Sequence, residues 1–357
     1  MISLRPRRRS LISFALLFAL SLTPTVAQGA LKRETLALSV VLFTPADRPT
    51  YWSENDEAQL VLVKSQTEQA LASWSHASEG RLIFTTSYIV SAPLAGLKRC
   101  AVADDWKLAL SILKLKSPQP QQKIISINPY DTCATAGYAQ VKGTFASIRT
   151  ITGTTIAHEL GHTFGFSHSG TIFCPKSDFS LLSPQCRIEQ YGDKTDLMGS
   201  GLALPTSKMS LAQSSIVWGV PIARPLKAGT FTFAYSNSSL KGSLFYLKTS
   251  NGTLYLELDD GSSNGGFKLS PLDTPGIEVR IIGHSIARSF TNSGESGIST
   301  LAFARLVGTD SDGNCTATCG IDLRFHQGES FNIPGSKYAI KVVRANEKSA
   351  QIKVSFR

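Results

Sequence analysis

The stretch from Ile156 to His168 limits what this chain can fold into more than any other part of it. It reads Ile-Ala-His-Glu-Leu-Gly-His-Thr-Phe-Gly-Phe-Ser-His and holds three of the six histidines. His158 and His162 are four residues apart, so a helix places both rings on one face. Gly165 accepts the positive φ of a sharp reversal, and it is predicted to end the helix so that His168 returns to the other two rings. The sequence therefore predicts three imidazoles around one metal ion.

The chemistry of this donor set favours zinc. Three neutral nitrogen ligands suit Zn²⁺ at about 2.0–2.1 Å and leave the fourth tetrahedral position open for water. Zinc lowers the pKa of bound water to about 7 and polarises a substrate carbonyl. Glu159, next to the first ligand, is the expected general base, which takes the water proton and later passes it to the leaving amine. The alternative, that the histidines are ordinary surface or core residues, is disfavoured by the full HExxHxxGxxH spacing in a histidine-poor chain.

The same spacing resembles that of the metzincin clan of zinc peptidases, whose members carry a methionine in a turn downstream of the ligands. The segment Tyr191–Gly199, Tyr-Gly-Asp-Lys-Thr-Asp-Leu-Met-Gly, fits this methionine turn, and it is most similar to the gametolysin-type family of secreted metallopeptidases. The resemblance is sharp only over residues 156–199. It implies that Met198 supports the site from below and that an antiparallel edge strand binds an extended peptide. Ser200 stands where some metzincins have a tyrosine, so no transition-state role is assigned at that position.

The N-terminus has the pattern of a signal peptide, residues 1–30. A start rich in arginine precedes an apolar core, Leu11 to Leu20, which is short for a membrane span. Small residues at Thr25–Ala27 or Ala27–Gly29 offer cleavage sites. An uncleaved anchor and a twin-arginine signal are the alternatives. We expect the general secretory route, a secreted or extracellular location (periplasmic in a Gram-negative bacterium), and no stable membrane insertion after cleavage.

The charge balance argues against a nucleic-acid partner. The formal net charge is +10, and four of the positive charges are arginines of the leader. The remaining charge is mildly basic, and basic and aromatic residues do not alternate as they do in nucleic-acid-binding proteins. The resemblance instead implies a protein or peptide substrate, bound as an extended strand, and we also expect a monomeric protein.

Six cysteines, an even number in an exported chain, indicate disulfides. They are Cys100, Cys133, Cys174, Cys186, Cys315 and Cys319. Six cysteines allow fifteen connectivities, and pairing of nearest neighbours is one hypothesis among them. Zinc ligation by these cysteines is disfavoured because no two of them form a CxxC pair.

Periodicity divides the chain after the leader into two parts. Residues 31–220 alternate strands and helices, which the resemblance identifies as an α+β metzincin-like catalytic domain with a twisted mixed sheet and long helices. The predicted strands are 36–44, 81–90, 123–127, 137–141 and 144–149, and the predicted helices are 58–74, one capped by Asp104 and Asp105, one from about Thr152, and 210–218. The apolar segment 202–205 is predicted to line the pocket for residues after the scissile bond. Residues 221–357 contain eight short alternating runs, which predict an all-β sandwich domain. These runs are 226–235, 243–248, 253–258, 276–282, 299–306, 321–325, 338–344 and 350–356.

These patterns together predict a secreted zinc endopeptidase that hydrolyses peptide bonds of extracellular or cell-wall proteins. Its zinc ligands are predicted to be His158, His162 and His168, with Glu159 as the catalytic residue. One alternative is a secreted adhesin or surface-binding protein whose zinc site is a non-catalytic scaffold. Another is a hydrolase that acts on a non-protein amide.

Overall fold

A computed structural model describes residues 33–357 except for several internal segments, and the predicted leader lies outside the described part. The segments left out are 47–54, 95–99, 129–132, 134, 174–185, 194–195, 200–208, 220, 235–242, 251, 260–275, 283–297, 310–314 and 323. The chain from Arg33 to Arg357 forms one compact unit. Over the described residues it contains four helices and three sheets, so the mixed α and β class predicted from the sequence is confirmed.

The first sheet lies in the N-terminal half. Its strands are β1 (Glu34–Leu42), β2 (Leu82–Val90), β3 (Gln122–Ile127), β4 (Gly137–Ala139) and β5 (Phe145–Ile148). Their order is β2-β1-β3-β5-β4, and all neighbours are parallel except β4, which runs antiparallel to β5 at the edge. β1 and β3 are apolar along most of their length because parallel strands are covered on both faces. The five strands predicted in this region are confirmed.

Three helices pack around these strands, and a fourth packs against the sheet described next. They are α1 (Asp56–Ala77), α2 (Val102–Ile112), α3 (Gly153–Phe164) and α4 (Leu211–Trp218). α1 begins where the Asn55 side chain accepts the Ala58 N–H at 2.7 Å. One face of α1, including Val63, Ala70 and Trp74, is buried in the cluster that also takes residues of α3. The helices predicted at 58–74, from Thr152 and at 210–218 are thereby confirmed.

The predicted cap of α2 is wrong. The helix exists, but it begins after Ala101 without a side-chain capping bond. Asp105 is instead fully buried, where it pairs with Arg149 and accepts hydrogen bonds from Asn128 at 2.9 Å and Ser147 at 2.7 Å. A carboxylate in the first turn interacts favourably with the helix dipole whether it caps the helix or points into the interior. Here Asp105 points inward, where it pairs with Arg149.

The second sheet joins the two halves of the chain. Its strands are β6 (Phe166–Phe173), β7 (Arg187–Glu189), β8 (Arg224–Pro225), β10 (Leu244–Thr249), β11 (Gly252–Asp259), β12 (Gly276–Ile282), β13 (Ile298–Thr309), β14 (Cys315–Asp322) and β15 (Arg324–Phe325). The path runs β7-β6-β13-β12-β11-β10-β8, with β14 beside β13 and β15 beside β12. β6 is parallel to β13, so Thr171 lies opposite Ala302. One sheet therefore continues across residue 220, and the domain boundary predicted there stays a prediction.

The third sheet is antiparallel and belongs to the C-terminal half. Its strands are β9 (Gly229–Ala234), β16 (Ser330–Asn332), β17 (Tyr338–Asn346) and β18 (Ser349–Phe356), in the order β16-β17-β18-β9. Phe233 and Ile352 of this sheet share one buried cluster with Leu254 and Ile281 of the second sheet. Each of the eight runs predicted after residue 221 overlaps a strand.

One predicted disulfide is confirmed, since Cys100 and Cys133 are bonded, with Cα atoms 5.5 Å apart. Cys186 is also disulfide-bonded, while its predicted partner Cys174 lies outside the described residues. The pairing predicted between Cys315 and Cys319 concerns side chains that the structure does not describe. No helix in the described part of the chain is long and apolar enough to cross a membrane.

Candidate metal centre

Helix α3 has a side-chain cap at its start and a glycine stop at its end. The Thr152 hydroxyl accepts the Thr155 N–H at 3.1 Å. Gly165 takes a left-handed conformation with φ of 106°, and its N–H donates to the His162 carbonyl at 2.9 Å. The chain then enters β6, so the predicted reversal at Gly165 is confirmed.

The reversal brings the three predicted histidines together. One ring nitrogen of each histidine lies within 4.8 Å of the corresponding nitrogens of the other two, and the three side chains could hold a metal ion. His158 and His162 come from α3, and their ring centroids are 4.9 Å apart. His168, from β6, has its ring centroid 4.9 Å from that of His162 and 5.3 Å from that of His158.

The protonation of these rings suits metal binding. His162 Nδ1 lies 2.9 Å from the Phe166 carbonyl, which can only accept, so the proton is on Nδ1 and Nε2 keeps its lone pair. Burial, then the neighbouring His162 and His168, hold the pKa of His158 well below its usual value, although a hydrogen bond with the Leu197 backbone acts in the opposite direction. Burial and the nearby His162 lower the pKa of His168 to about 3. His158 and His168 are therefore neutral at pH 7.

This donor set fits a transition metal that is intermediate between hard and soft ions. Neutral imidazoles suit zinc, copper, iron and nickel, whereas calcium and magnesium prefer oxygen ligands. Three donors on a tetrahedral zinc with bonds of about 2.1 Å lie about 3.4 Å apart. One nitrogen of each histidine lies within 4.8 Å of the others, a limit about 1.4 Å above that spacing. The carbonyl bonded to His162 Nδ1 is the kind of outer partner that fixes a ligand's orientation.

Glu159 is buried on the same helix, and its carboxylate packs against edge strand β4. A Cβ atom added at Gly137 would lie 2.6 Å from Glu159 Cγ and 2.7 Å from Glu159 Oε1. A glycine at position 137 is thus what leaves room for the predicted general base. The sequence placed Gly137 in a short strand near the cleft, but it contained no signal for this contact.

Met198 lies directly against α3. It is fully buried, and its Sδ occupies the space into which a Cβ at Gly161 would project. Its N–H donates to Asp196 Oδ1 at 2.8 Å, and its carbonyl accepts the Ser169 N–H at 2.8 Å. The methionine turn (Tyr191–Gly199) is therefore bonded to β6 immediately after His168.

Trp74 supports α3 from the α1 side. Its Nε1–H donates to the Ala157 carbonyl at 2.8 Å, and its ring stacks on Phe166, with centroids 5.4 Å apart. The indole is fully buried. The sequence placed Trp74 on the apolar face of α1, but periodicity cannot predict which carbonyl an indole N–H will bond.

The carboxyl end of α3 is held by the first sheet. Lys123 Nζ, from β3, donates to the carbonyls of Thr163 at 3.0 Å and Gly143 at 2.8 Å. The Lys142 N–H donates to the His162 carbonyl at 2.9 Å. Burial lowers the pKa of Lys123, against an opposing effect of Glu34. A cation at this position is attracted to the negative end of the helix dipole. The last turn of α3 is thus held by bonds from Lys123 and Lys142.

One side of the histidine cluster is open. His158 is half-buried, and Tyr191 is 46% exposed. The Tyr191 ring centroid lies 4.2 Å from that of His168 and 5.6 Å from that of His158. Tyr191 was part of the sequence motif, yet its place beside the ligands was not predicted. The segment 202–205, predicted to line a substrate pocket, lies outside the described residues.

Comparisons with known proteins add little to this geometry. No protein-family model matches the sequence, and no curated protein matches it. The chain is similar to a solved structure described as "Structure of a chaperone-substrate complex", with 14% identity and a TM-score of 0.34. The match covers 50% of this chain and 29% of the other, so this chain spans less than a third of that protein's length. A likeness of this size carries no argument about fold or function.

Proposed function

We propose that the protein is a secreted zinc endopeptidase, metzincin-like and most similar to the gametolysin type, that hydrolyses peptide bonds of extracellular or cell-wall proteins. The observation that carries the proposal is the convergence of His158, His162 and His168, one ring nitrogen of each lying within 4.8 Å of the others, with Glu159 directly after His158 in α3. In this proposal residues 1–30 direct export, residues 31–220 form the catalytic domain, and residues 221–357 form the β-sandwich.

The open side of the cluster supports a catalytic rather than a structural metal. Structural zinc sites are closed by four protein ligands, whereas catalytic sites have three and an accessible fourth position. Over the described residues the group that could hold a metal consists of the three histidines alone, and His158 is partly accessible. Bound zinc would supply an acidified water and a Lewis acid for the scissile carbonyl.

Glu159 performs the proton transfers in this proposal. It follows the first ligand on α3, and burial between the helix and β4 limits where its carboxylate can point. The carboxylate accepts a proton from the attacking water and then donates it to the departing amine nitrogen. A carboxylate that directly follows the first ligand and has room against Gly137 is suited to this task, and a purely structural metal site has no need of it.

Edge strand β4 supports binding of the substrate as an extended chain. β4 is the last strand in the order of the first sheet and runs antiparallel to β5. A peptide that pairs with such an edge gains main-chain hydrogen bonds. Because Gly137 contacts Glu159, a peptide along β4 would pass close to the general base.

The proposal is tested with purified protein, metal analysis and digestion of casein and gelatin. The wild type should contain about one zinc per chain and should lose activity to a chelator, with recovery on zinc addition. Glu159→Ala and Glu159→Gln should keep the zinc and lose at least about 10²-fold in kcat. His168→Ala should lose both zinc and activity, while His76→Ala, a change of an exposed histidine in α1, should lose neither.

Each alternative predicts a different result. Undiminished proteolysis by Glu159→Ala would contradict the assigned base. Stoichiometric zinc without proteolysis, together with binding to cells or matrix, would favour the adhesin with a zinc scaffold. Hydrolysis of small amides but of no member of a peptide library would favour a non-protein substrate.

A further inference from the structure

Arg280 is a fully buried cation whose partners adjoin the metal centre. It lies in β12, is 1% exposed, and belongs to the half of the chain that contains none of the predicted catalytic residues. Its Nε donates to Glu257 Oε1 at 2.7 Å, and one terminal nitrogen donates to Ser169 Oγ at 3.1 Å and pairs with Asp193. A guanidinium suits such a site because its planar fork bonds several acceptors at once.

Two of these partners adjoin the metal site. Ser169 follows His168 directly in β6, and its hydroxyl also donates to Asp193 Oδ2 at 2.8 Å. Asp193 belongs to the methionine turn, and its carbonyl lies so close to Gly199 that a Cβ atom there has no room. Arg280 therefore contacts both the strand of the third histidine and the turn that carries the methionine.

The remaining bonds extend the same network to α4. Glu257 accepts the Leu211 N–H at 2.6 Å, at the first residue of the helix. Asp196 accepts the N–H groups of Met198 at 2.8 Å and Ser210 at 2.9 Å. Three buried acidic side chains, Asp193, Asp196 and Glu257, thus belong to this network, and Arg280 pairs directly with Asp193 and Glu257. Removal of one partner from such a buried pair leaves the other charge uncompensated in the interior.

We propose that Arg280 is a positioning residue for the metal centre: it fixes the strand of His168 against the methionine turn. The inference rests on the proposed function, in that it takes the histidine cluster to hold zinc. It also assigns strand β12, which belongs to residues 221–357, to the support of the active site. Outer partners of metal ligands typically alter metal affinity by about 10–100-fold when they are removed.

The test compares two variants of Arg280 with a matched control in the full chain. Arg280→Met removes the charge and the hydrogen bonds, whereas Arg280→Lys keeps the charge without the fork. Arg149→Met is the control, because Arg149 is also buried in an ion pair but bonds Asp105 and Asn128 instead of the methionine turn. The zinc Kd is measured by competition with a chromogenic chelator, and kcat and KM are measured at saturating zinc.

We expect Arg280→Met to raise the zinc Kd by about 10-fold or more, Arg280→Lys to have an intermediate effect, and Arg149→Met to stay within about threefold of the wild type. KM should stay constant, since β4 belongs to another sheet. The inference is overturned if Arg280→Met leaves the Kd within threefold, or if Arg149→Met raises it equally. If Arg280→Met does not fold, Arg280→Lys is judged against the control in the same way.

Hydrogen exchange of the metal-free proteins separates this inference from the proposed function. Removal of Arg280 should speed exchange of amides in β6 and in the methionine turn, while Arg149→Met should not. Unchanged exchange in both segments would refute the positioning role, even in a protein that binds zinc. If the wild type bound no zinc but removal of Arg280 still sped exchange in these segments, Arg280 would position β6 and the methionine turn. The proposed zinc enzyme would then be refuted.

Discussion

Gly137→Ala should separate the general base from the metal. A Cβ at this position would lie 2.6 Å from Glu159 Cγ, 2.7 Å from Oε1 and 2.9 Å from Cδ, where ordinary contacts are 3.4–4 Å. The carboxylate must therefore move by about 1 Å, and a misplacement of about 1 Å can cost about 10²-fold in rate. Gly137 does not use a left-handed φ, so alanine fits the backbone. Because the displaced group is a flexible side chain, the free energy of unfolding should change by less than about 1 kcal/mol.

The assay for this variant is kcat/KM on a quenched fluorescent peptide, with zinc content and thermal unfolding measured in parallel. We expect kcat/KM to fall about 100-fold with zinc retained. In a Glu159→Ala background the same change should have almost no further effect, because the group that it displaces is gone. The reasoning is refuted if Gly137→Ala has a kcat/KM within threefold of the wild type, or if it loses activity only in proportion to lost zinc.

Three further predictions concern the packing and charge beneath the site. Gly161→Ala gains about 1 kcal/mol of helix propensity, but its Cβ would lie 2.6 Å from Trp74 Cζ2 and closer still to Met198 Sδ. Because overpacking costs about 1–3 kcal/mol, we expect a lower Tm. Trp74→Phe keeps an aromatic ring but removes the indole N–H that donates to the Ala157 carbonyl, which keeps its partner within the helix, and urea unfolding should show a loss of about 0.5–1.5 kcal/mol. Burial, more than the nearby Asp193, raises the pKa of Asp196 from 3.8 to about 7, so the folded protein holds a proton that the unfolded chain releases. The free energy of unfolding should therefore fall as pH rises from about 4 to about 7, and less so in Asp196→Asn.

Each of these predictions has a result that would contradict it. A raised Tm for Gly161→Ala would show that Met198 and Trp74 move aside without cost. If Trp74→Phe were as stable in urea as the wild type, water would replace the indole at the Ala157 carbonyl. Equal pH profiles for the wild type and Asp196→Asn would assign the dependence to other groups.

Much of the N-terminal half could be predicted because its signals are local. The apolar run of β1, the Asn55 cap of α1 and the Thr152 cap of α3 each act within a few residues. The same holds for Gly165, whose freedom at positive φ ends the ligand helix wherever the rest of the chain lies. The convergence of the histidines follows from helix spacing and this one reversal, so it too could be predicted.

The contacts that support the site could not be predicted, because their partners are distant in sequence. β6 pairs with β13 more than a hundred residues later, and no local pattern specifies that register. Arg280 sits in an alternating strand, where a charged residue ordinarily indicates a solvated face. Only the buried carboxylates of Asp193 and Glu257 explain its position in the interior. Asp105 shows the same limit. Its position at the start of α2 predicted a helix cap, but the side chain is buried against Arg149, which is distant in sequence.

The parallel pairing of β6 with β13 also sets an order of events during synthesis. A ribosome that has reached residue 220 has already made all three histidines, but β13 (Ile298–Thr309) does not yet exist. Early domains fold as the chain emerges, and β6 can already pair with β7 at that stage, but its other neighbour in the sheet is translated much later. The side of the His168 strand that faces β13 therefore stays uncovered until most of the polypeptide has been made.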